Sequence, residues 1–224
     1  DDAAVINPKD KKVLISTDLL VEGIHFDLTY APLKHLGFKA AVVNFSDIAA
    51  MNAIPTQITV SIAISNRFSL EAVDELYKGI KLACKQYQVD LVGGDTTSSK
   101  SGLVISITVL GLANEEDIVY RHGAKEGDLV CVTGDLGAAY VGLLVLEREK
   151  SEYTANPEMQ PQLEGLDYLL ERQLKPEARV DIVTLLKENG LKPHAMMDIS
   201  DGLASELKHI CKQSNLGCTI YEDK

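Results

Sequence analysis

The sequence predicts an α+β protein of two mixed α/β units. Three observations carry that reading. Apolar residues alternate over Gln57–Ser65 and over Leu103–Leu112, the period of half-buried strands. Around them, Leu33–Ala53 and the stretch after Ser69 repeat apolar residues at helical spacing. The strands are spaced too unevenly for a simple doubly wound sheet. A boundary falls near Asn114–Asp117, giving units 1–115 and 116–224.

Val13–Ile15 reads as a strand, with Ser16, Thr17 and Asp18 directly behind it. In Leu33–Ala53 the residues Leu33, Leu36, Ala40 and Val43 make a helical stripe, and Pro55 ends the helix. Ile58, Val60, Ile62 and Ile64 share one face of the next strand. Ser69 caps a second helix striped by Leu70, Val73, Leu76, Ile80 and Ala83. A short strand, Asp90–Val92, runs into Gly93-Gly94-Asp95, and Ile105, Ile107 and Val109 line the strand after it.

In the second unit, EGDLVCVTGDLGAAYVGLLVL reads as strand, glycine turn and helix. Residues Arg148–Gly165 hold two prolines and many polar side chains, which predicts a long surface excursion. Helices are expected at Ala178–Asn189 and Leu203–Gln213, and strands near Ala195–Ile199 and Cys218–Tyr221.

Composition narrows function. The net charge of -11 argues against a general nucleic-acid or anionic-membrane surface. No apolar run approaches membrane-spanning length, and the given sequence shows no charged-then-apolar signal segment. The four cysteines form no C-x-x-C, which favours reduced thiols and a cytoplasmic setting.

The acids beside breaks in structure point to chemistry. They are Asp1-Asp2, Asp18, Asp95, Asp198 and Asp201, with Asp47 on the first helix, three residues after Asn44 and on the same face. Each alone reads as a cap or turn residue. If they converge, their repulsion calls for cations: two charges 4 Å apart interact by about 4 kcal/mol at an effective dielectric near 20. Hard oxygen ligands suit Mg²⁺, and Mg²⁺ among acids suits bound phosphates. The chain has no P-loop motif and no kinase-type glycine loop, so a phosphate site must depend on metals. By spacing alone, Arg121 reads as a surface residue and His25 as a core or surface histidine.

DDAAVI, ISTDLLVEGIHF, KAAVVNFSDIAAMNA, LVGGDTT, RHGAKEGDLVCVTGDLG and MMDISDGLASEL occur in that order along the chain. As a set they resemble thiamine-monophosphate kinases, of the aminoimidazole-ribonucleotide synthetase and selenophosphate synthetase superfamily. Asn52 in AAMNA stands where the family usually has glycine. The resemblance implies ATP-dependent phosphorylation of thiamine monophosphate to thiamine diphosphate, with several Mg²⁺ ions. It implies Asp2, Ser16, Thr17, Asp18, Asp47, Asp95, Asp198 and Asp201 as metal ligands. It implies Gly94, Asp95, Arg121 and Ser200 at ATP, His25 at the substrate, and Asp95, Arg121 and Asp198 in catalysis. It implies two α+β domains, the first binding ATP and Mg²⁺ and pairing its sheet with that of a second copy. It also implies further chain on both sides of this sequence, carrying some substrate contacts. The competing readings are a related ATP-using synthetase, such as a selenophosphate synthetase, and a non-catalytic nucleotide and Mg²⁺ binding module. The VEGIHF stretch favours the kinase over the first, and the dense acid set argues against the second.

Overall fold

The computed structural model describes residues Pro8–Tyr221. The first half is a four-stranded sheet covered on one face by two helices. Its elements are β1 (Lys12–Val21), α1 (Leu33–Ala49), β2 (Ile54–Ile64), α2 (Leu70–Tyr87), β3 (Asp90–Ser98) and β4 (Val104–Ala113). The sheet order is β1-β4-β2-β3, with β4 antiparallel to both neighbours and β3 parallel to β2. A 3-10 turn at Glu115–Asp117 leads to the helices α3 (Ala138–Ala155), α4 (Asp167–Leu174), α5 (Val180–Glu188) and α6 (Leu203–Ser214).

The strand alternation builds the core. Ile58, Val60 and Ile62 of β2 and Ile105, Ile107 and Val109 of β4 are buried beneath α1 and α2. The two helices approach closely because glycines meet backbone. A Cβ on Gly37 would lie 2.0 Å from the Leu76 carbonyl oxygen, and one on Gly79 would lie 1.9 Å from that of Lys34. Ser69 caps α2 by accepting the Ala72 N–H at 3.3 Å, and left-handed Gln88 ends it at φ 58°.

Several expectations need correction. The first strand is ten residues long, so Ser16-Thr17-Asp18 lies inside it and not behind it. Pairing along the whole of β4 extends it, since each residue from Lys12 to Val21 finds a partner there. Likewise Gly93-Gly94-Asp95 lies within β3, paired with β2. Helix α1 stops at Ala49, and Asn52 takes a left-handed turn at φ 57°, its amide donating to the Asp117 carbonyl at 2.8 Å. Pro55 is inside β2, where the register shifts before Gln57. In the second half, Arg148–Ala155 continues α3, and α4 follows where none was expected.

The three strands expected in the second half do not form among the described residues. A strand needs a neighbour for its N–H and C=O groups, and Leu129–Thr133 has none there. Leu129 is 88% exposed and Val130 56%. The two-unit division rests on sequence alone, and the halves touch at defined points. Tyr30 donates to Glu147 at 2.6 Å, Lys150 pairs with Asp27 at 2.7 Å, and Lys39 donates to the Gln173 carbonyl at 3.0 Å. The Ala178 N–H donates to the Tyr87 hydroxyl at 3.0 Å, and Ala178 joins the core of the first half.

Candidate functional site

Alternation along β1 sends Leu14, Ser16, Asp18 and Leu20 towards α1 and leaves Ile15, Thr17 and Leu19 on the uncovered face. Ser16 and Asp18 therefore meet the helix face that carries Asn44 and Asp47. The Ser16 hydroxyl donates to the Asp47 carboxylate at 2.5 Å. The Asp18 N–H donates to the Asn44 side-chain oxygen at 3.1 Å. Asn44 is fully buried, and its amide nitrogen donates to the Ala40 carbonyl at 2.9 Å. Strand β1 is a sheet edge, so this N–H has no strand to receive it, and the asparagine takes that place.

Asp198 arrives from the other half on a segment without regular structure, which the Met196 N–H ties to the Tyr120 carbonyl at 3.0 Å. The Ser46 side chain acts on Asp198 to hold its carboxyl down. Arg121 is exposed, one residue beyond Tyr120, and its charge reaches both Asp47 and Asp198. Burial pushes the Asp198 carboxyl above the ordinary range, and the charge of Asp47 adds to it against Ser46 and Arg121. Burial also raises Asp47, helped by Asp18 and opposed by Ser16 and Arg121. Burial raises Asp18, reinforced by Asp198 and relieved by His25. Three carboxylates from β1, α1 and the 198 segment thus oppose one another's ionisation.

Not every candidate joins them. Thr17 points to the uncovered sheet face, where it donates to the Ile107 carbonyl at 3.1 Å and accepts from Thr108 at 3.0 Å. Asp95 pairs in register with Ser61, which pairs with Ser106, which pairs with Leu19. That row is on the uncovered face, one residue out of step with the row of Asp18, Ile107, Val60 and Gly94. Asp95 is exposed and accepts the Thr96 N–H at 2.8 Å. A Cβ on Gly94 would sit 1.9 Å from the Val60 carbonyl oxygen, so the sheet itself requires glycine there. His25, after the turn at Gly23, is exposed, and its Nδ1 accepts the Val21 N–H at 3.0 Å, which leaves Nε2 for a ligand. It lines a small pocket with Phe26, Tyr30, Lys39 and Gln173. Ser200 and Asp201 are exposed on the loop into α6. Asp2 lies outside the described residues.

Comparison with known proteins decides the family. Residues 1–113 match the N-terminal domain of AIR synthase related proteins, and residues 125–224 match the C-terminal domain. The chain is 36% identical to the thiamine-monophosphate kinase of Bacillus subtilis over 99% of its length, covering 66% of that protein. It is 35% identical to the Aquifex aeolicus thiamine-monophosphate kinase over 100% of its length, covering 68% of that protein. The chain belongs to the thiamine-monophosphate kinase family. Its fold superposes on AaThiL complexed with AMPPCP and TMP at a TM-score of 0.80 and 33% identity, over 94% of this chain and 63% of that one. A kinase of the same family from Stenotrophomonas maltophilia gives 0.83 at 31% identity, over 96% and 65%. The chain thus spans about two thirds of the length of the family members it matches. The hydrogenase maturation protein HypE, at 18% identity and a TM-score of 0.75, shares the fold.

For a member of this family, Mg²⁺ fits the donor set present. Asp18, Asp47 and Asp198 with Ser16 and Ser46 are hard oxygen donors whose carboxylates lack enough positive charge. Among the described residues no three acidic, histidine or cysteine side chains enclose a single ion as they stand. Asn44 and Ser46 were not singled out as site residues from sequence, although Asn44 shares a helix face with Asp47. Their signal is their position in NFSD, on the turn that carries Asp47.

Proposed function

We propose that the protein transfers the γ-phosphoryl group of ATP to thiamine monophosphate, giving thiamine diphosphate. The observation that carries this reading is the gathering of Asp18, Asp47 and Asp198, from both halves of the chain, beside Arg121. The family's members of that name and the AaThiL complex with AMPPCP and TMP support it. Donor and acceptor are both anions, so the task is to bring like charges into line. Asp18, Asp47 and Asp198 would hold Mg²⁺, which would supply charge neutralisation and orientation of the phosphates. Arg121 adds a fixed positive charge on the rim of the site. His25, with Nε2 turned from its own backbone contact, meets the substrate. Ser200 and Gly94 face ATP, and Asp2, Thr17, Asp95 and Asp201 complete the metal ligands. The acceptor phosphate is largely ionised near neutral pH, so no general base is needed, and positioning supplies most of the rate.

The protein also pairs as a homodimer through the uncovered sheet face in this reading. Val13, Ile15, Leu19 and Ile54 expose 39%, 67%, 55% and 39% of their surface there, a cost that a second sheet removes. Pairing brings a second copy over Thr17 and Asp95, the two candidate ligands on that face. Sedimentation at micromolar concentration is expected to show the dimer, and a monomer alone overturns this part. We read the protein as cytoplasmic, supported by four free cysteines. Among the described residues no helix is long and apolar enough to cross a membrane.

The direct test is incubation with ATP, Mg²⁺ and thiamine monophosphate. Thiamine diphosphate and ADP are expected in equal amounts. ATP binding without turnover on any acceptor instead identifies a nucleotide-binding module.

A further inference from the structure

Two acids of the candidate site hang from α-helices by their own backbone. On β1 the Asp18 N–H is held by Asn44 of α1. On the loop before α6 the Asp201 N–H donates to Oε1 of Glu206 at 3.3 Å. Glu206 is a residue to which sequence reasoning gave no role. It is 4% exposed, yet no cation is paired with it among the described residues. Its second oxygen, Oε2, is buried without a hydrogen-bond partner. A carboxylate in that position costs stability, because burial removes its water and only one donor replaces it.

A helix cap alone does not account for it. The first turn of α6 already bonds back to the loop without a side chain: the Ser205 and Glu206 N–H groups donate to the Gly202 carbonyl at 3.0 and 3.2 Å. Glu206 reaches past them to the residue before the glycine. Gly202, at φ 126°, gives the chain a bend that a side-chain-bearing residue rarely adopts. The loop Asp198–Asp201 is thus pivoted on a glycine and clasped from below by one buried oxygen.

We propose that Glu206 is a positioning residue for the metal-binding loop, fixing the Asp201 backbone so that Asp198 and Asp201 present their carboxylates together. It acts through the loop and touches neither substrate nor nucleotide. This inference rests on the proposed Mg²⁺ site but not on the identity of the phosphate acceptor. A buried acceptor behind a metal ligand fixes its direction, and loss of such contacts weakens metal affinity by about 10- to 100-fold in known sites.

The test compares Glu206→Gln, which keeps an acceptor oxygen, with Glu206→Met, which keeps the volume and loses the acceptor. Two quantities are read on the whole protein: the Mg²⁺ concentration that half-saturates the thermal shift in the presence of a non-hydrolysable ATP analogue, and the same midpoint in turnover. Glu206→Met is expected to raise both midpoints by roughly tenfold, and Glu206→Gln to restore most of the loss. A purely structural glutamate lowers the metal-free melting temperature and leaves both midpoints where they were, which overturns the proposal. Should Glu206→Met not fold, Glu206→Asp replaces it, since its carboxylate is one methylene too short to reach the Asp201 N–H. A wild-type protein whose analogue-dependent shift responds to Mg²⁺, yet makes no thiamine diphosphate, overturns the kinase reading and leaves the Glu206 comparison intact.

Discussion

The two halves of the chain hold their site residues by different means. Asp18 and Asp47 stand on a strand and a helix whose places are over-determined by the sheet ladder, the Asn44 bridge and a continuous apolar core. Asp198 rides on a segment with no regular structure, tied through the Met196 N–H to Tyr120 and through the Asp201 N–H to Glu206. Of the buried apolar residues after Val119, only Ala178 joins the main core. One half therefore fixes Asp18 and Asp47, and the other brings Asp198 beside them. A bound cation that joins them gains most by ordering the second half.

The comparison breaks most sharply at glycines. Gly79→Ala puts a Cβ 1.9 Å from a backbone oxygen that no side-chain rotation can move. It is expected to cost about 3 kcal/mol or more, seen as a lower denaturation midpoint. Gly217→Ala in the second half meets nothing within 4 Å and is expected to stay within about 0.5 kcal/mol. Similar losses at both positions would show that the halves are equally packed.

Next come the acids. Asp47→Asn and Asp198→Asn are each expected to lower turnover by roughly 100-fold, about 2.7 kcal/mol, with the fold kept. In the proposed dimer Asp95→Asn is expected to lower it as strongly although Asp95 lies on the uncovered face, since a second copy would cover that face. Unchanged turnover in Asp95→Asn, measured at ordinary Mg²⁺, reduces that residue to an exposed strand position and removes it from the site.

The first half was legible in the sequence where one physical rule decided. Alternation located β2 and β4, and the helical stripe located α2 to its cap. The errors came where pairing overrode local polarity. Ser16-Thr17-Asp18 looks like a strand's end, but β4 offers partners along its whole length. The second half misled because its strand-like runs have no described neighbour, so exposed apolar residues at Leu129 and Ile220 remain unpaired. Of the site, the acids stood out by type and position. Their grouping did not, because alternation puts Asp18 and Asp95 on opposite faces only once the register is known. Asn44 shared a visible helix face with Asp47, whereas Glu206 reads as one more polar position on a helix.

A smaller effect concerns pH. The raised Asp198 carboxyl binds its proton more tightly in the folded state than at its ordinary value of 3.8. Its stabilising contribution is therefore complete below that value and is lost as pH rises through the folded value. In Mg²⁺-free buffer at neutral pH, Asp198→Asn is expected to melt a few degrees higher than wild type, the scale on which about 1 kcal/mol acts in a chain of this size. The gap should close as pH falls towards 3.8, and Mg²⁺ should raise the wild type more than the variant. A variant that melts lower at neutral pH would mean that Arg121 and Ser46 already outweigh the burial.

The smallest effect is expected at the seam between the halves. Lys150 bonds to Asp27 and holds its carboxyl down to about 2, but both groups keep contact with solvent. Solvent screens such a pair, so Lys150→Ala should shift stability only slightly. Its lost contribution should appear as pH falls through about 2 to 4, since Asp27 is stabilised as the charged form. Turnover is the more telling readout. If the pocket is preset by the first half and merely closed by Asp198, loosening one seam contact leaves the rate unchanged at saturating Mg²⁺. A marked fall in rate with stability intact would place control in the relative setting of the halves, and the preset pocket would no longer be the first half's alone.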